Sequence, residues 1–264
     1  MLKVNNIYKT FNPGTINEKV ALNNLSLELR EGDFVTVIGG NGAGKSTLLN
    51  ALAGTWQVDQ GQILIDDIDV SKMSEHKRAS FLGRVFQDPM MGTVASMQID
   101  ENMALAYRRG KFRGLRRGIT VAEREEFEVL LAQLELGLEY RMSSKVGLLS
   151  GGQRQALTLL MATMKKPKLL LLDEHTAALD PKTAQKVLAT TNKIITENNL
   201  TTLMITHNMK DAIKNGNRLI MMNEGKIILD IAGEEKKNLT VPDLLQKFSE
   251  LSEDGVVSDK ALLS

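Results

Sequence analysis

The chain has 264 residues, 42% of them hydrophobic and 25% charged, with a net charge of +1 at pH 7. This is the composition of an ordinary globular protein with room for a substantial core. The balanced charge gives no global electrostatic case for nucleic acid. The lack of cysteine excludes disulfide and thiol chemistry, and no run approaches the roughly 18 apolar residues that a membrane span needs.

Leu2-Lys3-Val4-Asn5-Asn6-Ile7 alternates like a strand and has no signal-peptide core. Asn12-Pro13-Gly14 is a turn, and Val20-Ala21-Leu22 with Leu25-Ser26-Leu27-Glu28-Leu29 predicts a second, antiparallel strand. Phe11 lies between them. An exposed Phe11 stacks on a nucleobase and a buried one is a core aromatic; the local sequence leaves both readings open. Arg30-Glu31-Gly32-Asp33 then turns into the apolar, β-branched strand Asp33-Phe34-Val35-Thr36-Val37-Ile38.

That strand runs into Gly39-Gly40-Asn41-Gly42-Ala43-Gly44-Lys45-Ser46-Thr47, which fits the phosphate-loop pattern G-x-x-x-x-G-K-[ST]. The glycines let the backbone wrap tightly, so that its N–H groups can cradle phosphate oxygens. Lys45 adds a point charge for the outer phosphates, and Ser46 offers a hydroxyl to Mg²⁺. A helical pattern over 46–53, closed by Gly54, follows. Strand, glycine loop and helix is the order this chemistry requires, because the helix start contributes roughly half a positive charge toward the phosphates.

Further strands are predicted over 61–66 and 82–86, the second leading to Gln87-Asp88-Pro89. Helices are predicted over 100–107 and 120–136. In the latter, Phe127, Leu130, Leu131 and Leu134 form one apolar, core-facing stripe. Between them Arg108-Arg109-Gly110-Lys111-Phe112-Arg113-Gly114-Leu115-Arg116-Arg117 holds six basic residues in ten. It reads first as a solvated loop, with anionic lipid heads or RNA as the alternatives.

Leu149-Ser150-Gly151-Gly152-Gln153 opens a helix toward Lys165 and makes a second phosphate-binding turn. Lys168-Leu169-Leu170-Leu171-Leu172 is a buried strand that ends in Asp173-Glu174. A carboxylate ending such a strand can hold Mg²⁺, and its neighbour can polarise an attacking water. Then come a helix over 181–198 with Pro181 near its start, a strand over 200–205 ending at Thr206-His207, and a short helix over 208–214. A hairpin over 218–230 turns about Glu224-Gly225, an amphipathic helix covers 240–251, and 253–264 reads as a weakly ordered tail. His76 and His175 match no metal spacing.

One nucleotide does not need two phosphate-binding turns on one chain unless the second serves another subunit's nucleotide. In this the chain closely resembles the ATP-binding cassette (ABC) family, whose signature Leu149-Ser150-Gly151-Gly152-Gln153 matches, just upstream of the strand ending in Asp173-Glu174. The resemblance runs from Leu2 to about Ile231. It implies an α/β fold: a P-loop NTPase core with an antiparallel β subdomain and an inserted α-helical subdomain over about 88–165, followed by a C-terminal helix and tail over 232–264. It implies a head-to-tail homodimer formed on ATP binding, with ATP held by residues 39–47 of one subunit and Ser150, Gly151, Gly152 and Gln153 of the other. Gln87 matches the glutamine loop that senses Mg²⁺ and the attacking water. Asp173 joins Ser46 and Gln87 as a metal ligand, Glu174 is the catalytic carboxylate, and His207 is the switch histidine on the γ-phosphate. Ala177-Ala178-Leu179-Asp180 matches the loop that crosses the dimer interface.

The chain departs from the family pattern in several places. Phe11 stands where tyrosine commonly stacks on adenine, which keeps stacking without the hydroxyl. Gly40 and Asn41 replace the commoner proline and serine. His175 replaces the usual proline after the catalytic glutamate, and Ala177 the common serine. Arg154-Gln155-Ala156-Leu157 departs from the usual arginine-rich continuation.

Separate cassette chains without membrane spans typify prokaryotic importers. The run Asp173-Glu174-His175-Thr176-Ala177-Ala178-Leu179-Asp180-Pro181, with the form of the phosphate loop, resembles a subgroup assigned to uptake of tryptophan, tyrosine or related small solutes. The resemblance implies an integral-membrane permease, an extracytoplasmic substrate-binding lipoprotein, no nucleic-acid partner, and a place at the cytoplasmic face of the cell membrane. The alternatives are an exporter's ATPase, or a soluble ABC switch without a permease.

Overall fold

A computed structural model describes residues 1–110 and 118–253. In chain order the elements are β1 (Leu2–Phe11), β2 (Lys19–Leu29), β3 (Phe34–Ile38), α1 (Lys45–Ala53), β4 (Gln60–Ile65), β5 (Ile68–Asp69) and α2 (Glu75–Arg78). They continue with β6 (Leu82–Val85), α3 (Ile99–Tyr107), α4 (Val121–Ala132), α5 (Gly151–Thr163), β7 (Leu169–Asp173) and α6 (Pro181–Glu197). Last come β8 (Thr202–Ile205), α7 (Met209–Lys214), β9 (Arg218–Asn223), β10 (Lys226–Ala232), α8 (Gly233–Asn238) and α9 (Val241–Glu253). They form two compact units, one made of Met1–Arg78 with Leu200–Ser264, the other of Ala79–Asn199.

The first unit draws on both ends of the chain. Its antiparallel sheet runs β2-β1-β4-β5. In its second set of strands β3 lies between β8 and β9, parallel to both, with β10 antiparallel on β9. All five residues of β3 are buried, as a strand covered on both faces requires. The β9–β10 turn has Glu224 at φ 47° and Gly225 at φ 75°, the paired left-handed conformation of a two-residue hairpin loop. Helix α9 presents Leu244 and Phe248 to a cluster with Ile38, Ala212, Leu219, Met221, Ile231 and Leu239.

Helix α8 has no apolar stripe and is absent from the sequence-based expectation. Its buried anchor is Lys236, and Glu235 adds an ion pair with Lys247 of α9 at 3.0 Å. Lys236 is buried, and its ammonium donates to Ile213 O and Gly216 O at 3.0 Å and also to Asn215 O. It thereby closes the carbonyl end of α7, where Lys236 supplies the partners a helix terminus lacks.

The second unit is one continuous stretch. Strands β6 and β7 pair in parallel, with Val85 beside Leu172. Its helices start on side-chain caps. Thr120 and Glu123 form a capping box on α4, Ser150 and Gln153 one on α5, and Asp180 accepts from Thr183 N on α6, where Pro181 takes the first turn. The helix expected over 120–136 ends at Ala132 instead. Glu135 sits at φ 55°, so the chain turns there, and Leu134 is buried from the turn rather than from the helix. Arg108 pairs with Glu123 at 2.8 Å and Arg109 donates to Ala162 O. The rest of the basic segment, 111–117, and the tail from 254 lie outside the described residues.

Candidate functional site

In the first unit the loop after β3 is gripped from outside. Gly44 caps α1 at φ 100°, and a Cβ there would stand 2.5 Å from Ala21 O; only glycine fits. Gly225 N, at the β9–β10 turn, donates to Ala43 O at 2.9 Å. Lys45 is buried, and its ammonium donates to Gly39 O at 2.6 Å and Gly40 O at 3.0 Å. The lysine thus holds the loop's shape with the same group that carries its charge. No side chain caps α1 and its first turn carries no acid, so the helix start keeps the electrostatics an anion needs. Asn41 and Ser46 are exposed and Thr47 is half-buried.

Strand register brings a second predicted residue to this edge. Val37 lies beside Ile205, so Gly39 and His207, each two residues further on, leave the sheet from the same end. His207 is exposed, and Asn208 next to it caps α7 by accepting from Lys210 N and Asp211 N.

Phe11 is half-buried at the end of β1 and stands edge-on to Trp56, with ring centroids 4.8 Å apart. That is an ordinary aromatic pair geometry. Trp56 carries no local sequence signal and was not among the expected site residues. Lys19 was also missed. It pairs with Phe11 across β1 and β2, and a Cβ on Gly42 would lie 3.1 Å from its Nζ.

The second unit repeats the register argument. Val85 beside Leu172 sends Gln87 and Glu174 off the same end of the β6–β7 pair. Gln87 is exposed; Asp173 and Glu174 are half-buried. Arg84 Nη2 lies 3.8 Å from Asp173 Oδ2. Glu174 has φ 46°, a left-handed backbone that costs a non-glycine residue on the order of 1–3 kcal/mol and recurs at functional positions. His175 beside it is buried, and burial pulls its imidazole down to about 4. It bonds Thr191 on α6 through Nε2 at 3.0 Å.

The signature turn is built as a closed box. Ser150 Oγ accepts from Gln153 N at 3.3 Å, and Gln153 Oε1 accepts from Ser150 N at 3.1 Å. Gly152 is pressed against α6, where a Cβ would overlap Thr183 Cγ2. The next residues reach the glutamine segment: Gln155 Nε2 donates to Phe86 O at 3.2 Å, and Arg154 contacts Met90 Sδ. Met90 and Met91 are exposed. Among the described residues no cluster of three or more His, Cys, Asp or Glu side chains is arranged to hold a metal, and no helix is long and apolar enough to cross a membrane. Magnesium does not need such a cluster, since it keeps waters and binds through one or two carboxylates with substrate phosphates.

A buried parallel strand, a glycine loop sealed by its own lysine and an uncapped helix start define a phosphate-loop nucleotide-binding protein. The ABC transporter family profile matches residues 22–177. A tyrosine transport ATP-binding protein of Clostridioides difficile (strain R20291) is 46% identical over 253 residues, covering 94% of this chain and 98% of that protein. A dimeric ATP-binding cassette solved in a post-hydrolysis state with ADP and Pi superposes with a TM-score of 0.74 at 30% identity, over 88% of this chain and 98% of that one. CbiO1 of Clostridium perfringens, part of the ABC transporter complex cbiONQ, superposes with a TM-score of 0.75 at 25% identity, over 96% of each chain. The chain belongs to the ABC transporter family, as its ATP-binding, ATP-hydrolysing subunit. The expected α/β fold with antiparallel and parallel sheets is the fold observed.

Proposed function

We propose that this subunit powers uptake of tyrosine or a related small solute. The observation that carries the reading is the exposed serine–glutamine box at the start of α5, a second phosphate-type helix start on a chain that already has its own phosphate loop. It suits a homodimer in which residues 39–47 of one subunit and residues 150–153 of the other close on each ATP. The relative at 46% identity, named for tyrosine transport, supports the solute class.

In this reading the cassette spans 1–231, with a helical insertion over about 88–165, and 232–264 form an accessory end. Phe11 stacks on the base. Lys45 and the loop N–H groups hold the phosphates, as the uncapped, acid-free start of α1 suits. Ser46, Gln87 and Asp173 offer the oxygen donors that Mg²⁺ prefers. Mg²⁺ held by these residues would supply charge neutralisation at the phosphates. Glu174 orients and deprotonates the attacking water, and His207 contacts the γ-phosphate. The partners are an integral-membrane permease and an extracytoplasmic substrate-binding lipoprotein, with the subunit at the cytoplasmic face. The exposed Met90 and Met91 give the permease an adaptable apolar contact.

Glu174→Gln keeps the shape of the side chain but takes no proton. It will bind Mg-ATP, lose roughly 10²–10⁴-fold in turnover, and elute as a nucleotide-loaded dimer in size-exclusion chromatography. Ser150→Arg places a bulky charge in the box and will stay monomeric with ATP bound. Near-normal turnover of Glu174→Gln removes that residue from the role. Direction and solute are read separately: co-purification with a polytopic membrane protein and a lipoprotein that binds tyrosine supports import, and a complex without a binding protein favours export.

A further inference from the structure

The residue after the proposed general base has no assigned role, yet it is one of the most buried polar side chains in its unit. Glu174 holds a left-handed backbone at φ 46°. A non-glycine residue persists there only when its surroundings over-determine it. On one side the turn is closed by Ala177 N donating to Glu174 O at 2.9 Å. On the other side stands His175, 2% exposed, with Nε2 3.0 Å from Thr191 Oγ1. Thr191 is fully buried, and its hydroxyl donates to Val187 O one turn back in α6 at 2.8 Å. A hydroxyl has one proton. With that proton given to Val187, Thr191 Oγ1 can only accept from the imidazole, so Nε2 carries the hydrogen and Nδ1 the lone pair. The bond has a direction, and it ties the backbone immediately after Glu174 to the rigid middle of a 17-residue helix.

We propose that His175 is a positioning residue for hydrolysis: donating from Nε2 to Thr191, it fixes the strained turn that aims the Glu174 carboxylate. This rests on the reading of Glu174 as general base. The anchor acts on the attack step and not on ground-state nucleotide binding, which belongs to the phosphate loop.

The test is steady-state ATP hydrolysis by the full chain, well below its melting temperature. His175→Leu fills similar space without a donor and is expected to lower kcat by about ten- to a hundredfold, the scale of a misaimed catalytic group, with KM for ATP unchanged. Thr191→Val removes the acceptor at nearly constant shape and is expected to give the same loss. The two losses share one bond, so the double variant is no slower than either single variant. His175→Gln, whose amide N–H reaches the same place, restores kcat to within a few fold. If His175→Leu proves unfolded, Thr191→Val and His175→Gln carry the test alone. Wild-type kcat in Thr191→Val, multiplicative losses in the double variant, or a rise in KM in place of the fall in kcat each overturns the proposal. In a Glu174→Gln background the His175 and Thr191 changes should no longer alter the residual rate. If Glu174→Gln itself turns over normally, the reading of Glu174 is what fails, whatever the His175 variants do.

Discussion

Two helix starts in this chain take opposite forms. Helix α1 begins at a left-handed glycine with no side-chain cap and no acid in its first turn. Helix α5 begins on Ser150 with a complete box, each side chain answering the other's backbone N–H. Both sequences are glycine-rich, and both helix starts favour an anion through the macrodipole. The difference lies in what satisfies the first-turn donors. The start of α1 is shaped for a ligand by its surroundings, with Ala21 and Gly225 gripping the loop from outside. The start of α5 is complete in its own chain, and only its exposed edge is offered outward. In the proposed function the bare start takes the chain's own nucleotide, and the ordered one is offered to the partner's.

The largest effect separates the two directly. Lys45→Ala removes the charge that holds the loop and that the proposed function places on the phosphates, and ATP turnover is expected to fall by at least roughly 10²–10³-fold, on the scale of losing one oriented donor. Nucleotide titration will show lost affinity, while the melting curve stays close to wild type. Retained affinity would break the contrast, because the bare helix start would then bind without its lysine.

Next comes the acid side of stability, which belongs to the unit carrying α5. His175 titrates near 4 in the folded chain, because burial disfavours its charged form, against 6.5 for the unperturbed group. Between these values the unfolded chain binds a proton that the folded chain refuses. The stability associated with His175 is therefore whole above about pH 6.5, falls as the pH drops from 6.5 toward 4, and levels off below that. The total is about 3 kcal/mol, at about 1.4 kcal/mol per pH unit. Urea unfolding of the wild type and His175→Gln across pH 4–7 should show a steeper slope in the wild type than in the variant, which keeps only the carboxylate contribution near the acid end; equal slopes would remove the His175 contribution.

Gly152→Ala should cost about 1–3 kcal/mol in the same assay by overpacking against Thr183, with ATP affinity at the phosphate loop unchanged. Smallest is Ser150→Ala, which loses the cap at about 1 kcal/mol. An equal loss of ATP affinity by the isolated chain in Ser150→Ala would erase the distinction between the two helix starts.

Much of this was legible because local chemistry dictates it. The phosphate loop, the hairpin at Glu224-Gly225, the strand into Asp173 and the helix after Pro181 all follow from residues within a few positions of one another. Gln87, Glu174 and His207 could be singled out by their place after apolar strands, but their backbone settings could not. Nothing in Asp173-Glu174-His175 announces a left-handed Glu174 or a histidine that donates to Thr191. The pairing of Phe11 with Trp56 spans two strands, the phosphate loop and a helix, and Lys19 meets Gly42 only through strand register. Helix α8 was invisible because Gly233-Glu234-Glu235-Lys236-Lys237-Asn238 has no apolar period; its reason to exist is one buried ammonium on another helix's carbonyls. The helix from Thr120 is shorter than its apolar stripe, because Leu134 keeps the stripe in the turn that Glu135 completes.

The strand that feeds the phosphate loop has a late-arriving neighbourhood. Val35 pairs with Leu203 on one side and Arg218 on the other, so both flanks of β3 are supplied by chain made more than 160 residues later. During synthesis from the N-terminus, β3 therefore waits with its apolar edges unpaired until β8 and β9 have been made. Competence to bind nucleotide is thus deferred until nearly the whole polypeptide exists. A ribosome that stalls before residue 200 releases a fragment that carries an intact phosphate-loop sequence and lacks both strands that flank β3.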